Sequence, residues 1–81
     1  MDKELYDKIR QYILDTVRKY HGKKRYKPME LEKEVVQVFS DYNITRRDVK
    51  GVIRDIVDAG ELIYGYAGSS FLTIPEDREN T

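Results

Sequence analysis

Residues 45–75 read TRRDVKGVIRDIVDAGELIYGYAGSSFLTIP, and the rest of the chain is organised around this stretch. Thr45 followed by Asp48 approximates a capping box, which predicts that a helix begins here. The apolar residues that follow recur at i, i+3, i+4, i+7 and i+8, the spacing of a single buried helical stripe. They are Val49, Val52, Ile53, Ile56 and Val57. Gly60 can adopt the left-handed conformation that ends a helix, so the helix is predicted to stop there.

A β-hairpin is predicted to follow this helix. Residues 62–66 and 71–74 are rich in β-branched, aromatic and aliphatic side chains, and the turn-forming residues 67–70 separate them. Pairing Tyr66 with Phe71 would define two faces. One face would hold Tyr64, Tyr66, Phe71 and Thr73, and the other Ile63, Leu72 and Ile74. We expect the aliphatic face to be the core, although Leu62 and a bulge at Gly65 leave this choice open.

Two amphipathic helices are predicted before this stretch. The first covers residues 3–20, and His21–Gly22 closes it. Tyr12 and Leu14 lie at the two edges of its wide apolar stripe; we favour packing under other elements over a homodimer contact. The second helix is predicted to begin at Pro28, which needs no N–H at a first helical position, and to end near Asp41. Residues 22–27 (GKKRYK) form the connector between the two helices, and Tyr26 is a candidate for a very short strand within it.

Length and composition favour one domain over residues 1–81, with residues 76–81 expected to fray. The chain has 40% hydrophobic and 37% charged residues, a mixture typical of a soluble, folded, helix-rich small domain. The three predicted helices and the hairpin together predict an α+β fold. It has no cysteine and one histidine, so we predict no disulfide, no metal site and no cofactor. No apolar run approaches the length of a membrane span, and the first residues are too charged for a signal peptide. We expect a cytoplasmic protein without membrane contact.

Catalytic patterns are absent from the sequence. There is no glycine-rich phosphate loop and no GxSxG motif. His21 stands beside a helix-ending glycine, where it fits a helix-dipole partner better than a general base. Glu30, Glu32 and Glu34 are interpreted as ordinary surface carboxylates. The chain is therefore predicted not to be an enzyme.

Three helices followed by a hairpin, with a short strand after the first helix, resemble a winged helix-turn-helix. The segment RRDVKGVIRDIVDAGELIY and the short GSS-tipped hairpin are similar to the dissimilatory sulfite reductase D family, through Arg47, Val49 and Lys50. The winged-helix resemblance implies that residues 45–59 enter a DNA major groove and that residues 62–74 form the wing. The family resemblance implies a partner in dissimilatory sulfite reductase or its operon DNA.

The third helix carries the candidate DNA-binding residues. Arg47, Lys50 and Arg54 fall within one arc beside the apolar stripe, where arginine can fork onto guanine and lysine can neutralise phosphate. Gly51 borders this arc and would let the backbone approach a ligand, whereas Asp58 lies nearly in line and opposes phosphate. The further candidates are Thr45 and Arg46 at the helix start, Ser69 and Ser70 in the wing, and Lys24 and Arg25 in the connector. Double-stranded DNA is the predicted partner, in a regulatory role.

Two other interpretations stay open. The cations can form an ordinary solvated helix face, since charged helix surfaces are common. Lysine plus arginine and aspartate plus glutamate number 15 each, so no overall positive field attracts nucleic acid. The alternative function is therefore a winged-helix protein-interaction module. Its contact residues would be Tyr64, Tyr66, Phe71, Tyr12 and Leu14.

Overall fold

The computed structural model describes residues 2–67 and 69–75, so the expected fraying of residues 76–81 lies outside it. Its elements, in chain order, are α1 (Lys3–Lys19), α2 (Pro28–Val38), a 3₁₀ turn (Ser40–Tyr42), α3 (Arg46–Asp58), β1 (Ile63–Ala67) and β2 (Ser69–Thr73). The two strands pair antiparallel, and Tyr26 adds an isolated bridge to Leu72. This is the predicted α+β fold, with a winged-helix-like layout. In the described part of the chain, no helix has the length and apolar content needed to cross a membrane.

The residues at each helix start explain where the helix begins. The carboxylate of Asp2 accepts a hydrogen bond from the Leu5 amide at 2.8 Å, which begins α1. Pro28 occupies the start of α2, as predicted. At α3 the Asp48 amide donates to the Thr45 hydroxyl at 3.2 Å, and the Thr45 amide donates to the Asp48 carboxylate at 3.0 Å. The predicted capping box is therefore confirmed, and it fixes where α3 begins.

The second helix ends earlier than predicted. It stops at Val38, and the chain tightens into the 3₁₀ turn before Asn43, whose φ of 53° lies in the left-handed region. Apolar spacing misses this change because residues three apart share a side in both helix types. The turn places the Phe39 ring edge-on against Tyr12, with 5.8 Å between ring centroids.

A hydrophobic core joins all three helices to the hairpin. The residues with no exposed surface are Ile9, Ile13, Leu31, Val35, Val49, Ile56 and Leu62. Leu14 is also buried, with 3% of its surface exposed, so the chain's own core covers it and its proposed partner role is wrong. Tyr12 is partly buried against this core. The favoured interpretation, that the wide stripe of α1 packs under other elements, is confirmed for Leu14.

The hairpin register differs by one residue from the predicted one. Phe71 lies opposite Gly65, and Tyr66 lies opposite Ser70. A Cβ at residue 65 would stand 2.5 Å from the Cζ atom of Phe71, so only glycine leaves room for this ring. The slip makes Tyr64 and Leu72 direct neighbours instead of placing them on opposite faces. Leu72 is buried as expected, whereas Leu62, not Ile63, is the fully buried residue at the start of the hairpin.

Candidate nucleic-acid interface

One side of α3 presents three cations to solvent. Arg47, Lys50 and Arg54, here called the basic arc, are all exposed. The apolar stripe of the same helix is buried apart from Val57, which is partly buried. None of the three forms an ion pair with a residue in the ranges 2–67 and 69–75. Their charges are therefore available to an anionic partner.

The aspartates of α3 are mostly engaged elsewhere. Asp48 caps the helix start, and Asp55 accepts a hydrogen bond from the Tyr6 hydroxyl of α1 at 2.7 Å. This bond to Asp55 is the main reason that the pKa of Tyr6 is raised, and desolvation adds to it. Asp58 is exposed and lies one turn after Arg54, so it remains the acidic neighbour that opposes phosphate binding.

The first residues of α3 have structural contacts of their own. The Arg46 guanidinium lies 3.5 Å from the carboxylate of Glu32, whose side chain is 9% exposed. This pair joins α3 to α2, and the Thr45 hydroxyl serves the capping box. At Gly51 a Cβ would have no neighbour within 4 Å, so no contact in the described chain requires glycine there. An open backbone surface thus borders the basic arc.

The hairpin contributes fewer described candidates than predicted. Ser70 is half-buried, and Ser69 pairs through its backbone with Ala67. The side chains of Ser69 and Tyr66 lie outside the described part of the structure. Tyr64 is 38% exposed, so it is accessible to a partner.

The connector cations pack on aromatic rings. The Lys24 ammonium lies 4.4 Å from the centroid of the Tyr26 ring and 3.9 Å from the Glu30 carboxylate. The Arg25 guanidinium lies 5.0 Å from the centroid of the half-buried Phe71 ring. Both cations line a cleft between the connector and β2, and no lining residue belongs to α3. The cations among the predicted DNA-binding residues therefore separate into two groups, one on α3 and one in the connector.

Two glutamates interpreted as ordinary surface carboxylates have specific partners, so that interpretation is wrong for them. Glu32 is buried and pairs with Arg46. Glu34 accepts hydrogen bonds from the hydroxyls of Tyr12 at 2.9 Å and Tyr26 at 3.2 Å. Burial first, and then the charge of Glu34, raise the pKa of Tyr26 to about 12. Burial and the bond to Glu34 also raise the pKa of Tyr12.

Comparison with protein-family models, curated proteins and solved structures finds no match for this chain. Side-chain chemistry is therefore the basis for assigning a function. In the described residues, no group of histidine, cysteine and carboxylate side chains is arranged to hold a metal ion. Exposed cations that form no ion pair with a described residue, carried on a capped helix, are suited to binding a polyanion.

Proposed function

We propose that the chain binds double-stranded DNA through the basic arc of α3, in a regulatory role, with the hairpin as a supporting wing. The observation that carries the proposal is the contrast between charges on one helix. Arg47, Lys50 and Arg54 are exposed and unpaired within the described chain, whereas Asp48 and Asp55 are engaged in contacts. The winged-helix-like order of the elements supports the same assignment.

The architecture also supports α3 as a rigid recognition helix. The capping box fixes the start of α3, and its buried stripe anchors it to the core. Cations on such a helix lose little backbone freedom when they bind. Arg47 and Arg54 can each fork onto guanine O6 and N7, for about 1–3 kcal/mol of discrimination per base, and Lys50 can neutralise phosphate.

A triple substitution tests the assignment. Arg47→Ala, Lys50→Ala and Arg54→Ala together should weaken binding to a labelled duplex at low salt by about 100-fold, since each lost charged contact is worth on the order of 1 kcal/mol. The matched control is Lys3→Ala, Arg18→Ala and Lys33→Ala, which removes the same charge from exposed positions on α1 and α2. Circular dichroism verifies folding of both variants. Equal losses for the two variants would disprove a specific role for the basic arc.

The second candidate function is a protein-interaction module, favoured by the exposed Tyr64 ring on the hairpin and by the zero net charge. Tyr64 and Phe71 would be the described contact residues of this module. The Tyr12 hydroxyl is already hydrogen-bonded to Glu34, so Tyr12 is less available to a partner. Because of the family resemblance, purified dissimilatory sulfite reductase is the first partner to test. A complex that survives the triple substitution of the basic arc but is lost with Tyr64→Ala would favour this function over DNA binding.

A further inference from the structure

A cleft of about 530 Å³ lies between the connector and β2. Its lining residues are Val17, His21, Gly22, Lys23, Lys24, Arg25, Tyr26, Phe71, Leu72 and Thr73. Val17, Tyr26 and Leu72 are core residues with 3–5% of their surface exposed, so the floor of the cleft is part of the packed hydrophobic core. The volume falls in the range of about 300–1,000 Å³ that is usual for small-molecule sites.

The charge of this cleft differs from that of the whole chain. Among the described residues, its lining contains Lys23, Lys24 and Arg25 but no carboxylate, although acids and bases are equal in number in the sequence. Glu30 approaches Lys24 from outside the cleft, at 3.9 Å, and both side chains are about half exposed. Solvent weakens such a surface pair, so the positive charge of the cleft persists.

The backbone that carries these cations is held in place. The amides of Lys23 and Lys24 both donate to the Tyr20 carbonyl oxygen at 2.9 Å. The Leu72 amide donates to the Tyr26 carbonyl oxygen at 2.8 Å, which joins the connector to β2. The rings of Tyr26 and Phe71 support Lys24 and Arg25. Cations positioned before binding lose less freedom when they meet an anion.

We propose that this cleft binds a small anion with two or more linked phosphoryl groups, either a nucleoside polyphosphate or an inorganic polyphosphate. One phosphoryl group carries a charge of about −1.5 to −2, so three cations match more than one such group. Arginine and lysine together supply both a forked and a point-charge donor for phosphate oxygens. Because no lining residue belongs to α3, this site is separate from the basic arc.

Titration calorimetry of the full chain with tripolyphosphate, ATP, adenosine and orthophosphate tests the proposal. Tripolyphosphate and ATP should bind saturably, adenosine should not, and orthophosphate should bind at least about tenfold more weakly. ATP binding much tighter than tripolyphosphate would assign the site to nucleotides, and equal affinities would assign it to the polyphosphate group alone. Amide shifts at Lys23, Arg25 and Thr73 should locate both ligands in the cleft.

Charge variants locate the site independently. Lys23→Gln with Lys24→Gln should weaken tripolyphosphate binding by about tenfold or more, whereas Lys3→Gln with Lys33→Gln should leave it unchanged. Lys23→Glu alone should have a similar effect without disturbing the Lys24 contact with Tyr26. No saturable binding, or binding insensitive to these changes at Lys23 and Lys24, would overturn the proposal.

The basic arc variant separates the two proposals. Arg47→Ala, Lys50→Ala and Arg54→Ala together should retain tripolyphosphate binding, even if the wild-type chain does not bind DNA. Loss of tripolyphosphate binding in this variant would place the anion on α3 and overturn the cleft site. Duplex DNA that shifts the cleft amides, and that binds about tenfold more weakly to the Lys23 and Lys24 variant, would also overturn it. The cleft would then belong to the DNA surface.

Discussion

The Leu72 amide of β2 donates a 2.8 Å hydrogen bond to the Tyr26 carbonyl oxygen in the connector. The side chain of the same tyrosine is buried, and its hydroxyl donates to Glu34 of α2 at 3.2 Å. Tyr26 therefore links the connector, the second helix and the hairpin through one residue. This link positions the cleft against β2 and holds the hairpin on the helical core.

The stability of the fold should fall at alkaline pH because of Tyr26. Its pKa is about 12 in the folded chain, above the ordinary value of 10.0, so folding favours the neutral phenol. The stabilisation that the neutral Tyr26 phenol gives to the folded state is complete below pH 10, and it is lost as the pH rises through 12. From pH 8 to pH 11, the wild type should lose roughly 1 kcal/mol more unfolding free energy than Tyr26→Phe.

Urea unfolding at the two pH values measures this difference. Tyr26→Phe should itself be less stable at pH 8, by about 0.5–1.5 kcal/mol, because it lacks the hydrogen bond to Glu34. The two proteins differ in no other ionisable group, so the comparison isolates Tyr26. Identical pH dependence in the two proteins would contradict the role assigned to Tyr26.

Gly65→Ala should destabilise the hairpin. The new Cβ would stand 2.5 Å from Cζ of Phe71, so the ring must leave its position and its contact with Arg25. We expect a loss of about 1–2 kcal/mol in thermal or urea unfolding. Gly51→Ala is the matched control, because its Cβ has open space and should stabilise α3 by about 1 kcal/mol. The same sign for both substitutions would refute this account of the register.

Thr45→Ala should lower the unfolding free energy by about 1 kcal/mol, because the Asp48 amide loses its side-chain acceptor at the start of α3. Thr45→Ser keeps the hydroxyl and should stay within about 0.5 kcal/mol of the wild type. Urea unfolding of the three proteins provides the measurement. If Thr45→Ala and Thr45→Ser prove equally stable, the capping box does not fix the helix start.

The sequence predicts the elements of this fold better than their contacts. Capping residues, Pro28 and apolar spacing locate the three helices because these signals act within a few residues. The hairpin register escapes prediction because it depends on the fit of the Phe71 ring over Gly65, a contact across two strands. The early end of α2 at Val38 escapes for a different reason, since the three-residue spacing of Phe39 and Tyr42 fits both a 3₁₀ turn and an α-helix.

The candidate functional residues also include some that the sequence predicts and some that it does not. The basic arc could be predicted because its members share one helix, and helical geometry alone brings them together. The cleft could not, because it requires residues 21–25 to meet β2 through the bridge between Tyr26 and Leu72. The roles of Glu32 and Glu34 likewise depend on partners from other elements, which no local pattern reveals.

The salt dependence of duplex binding tests the DNA proposal most directly. Each phosphate neutralised by a cation contributes a slope of about −0.9 to the logarithm of the binding constant against the logarithm of salt concentration. On a duplex of random sequence, where binding is electrostatic, Arg47, Lys50 and Arg54 each neutralise a phosphate. They therefore predict a slope of about −2.7 or steeper for the wild type, and a slope shallower by about 2.7 for their triple alanine variant. A flat wild-type slope, or the same slope in both proteins, would contradict DNA binding by the basic arc.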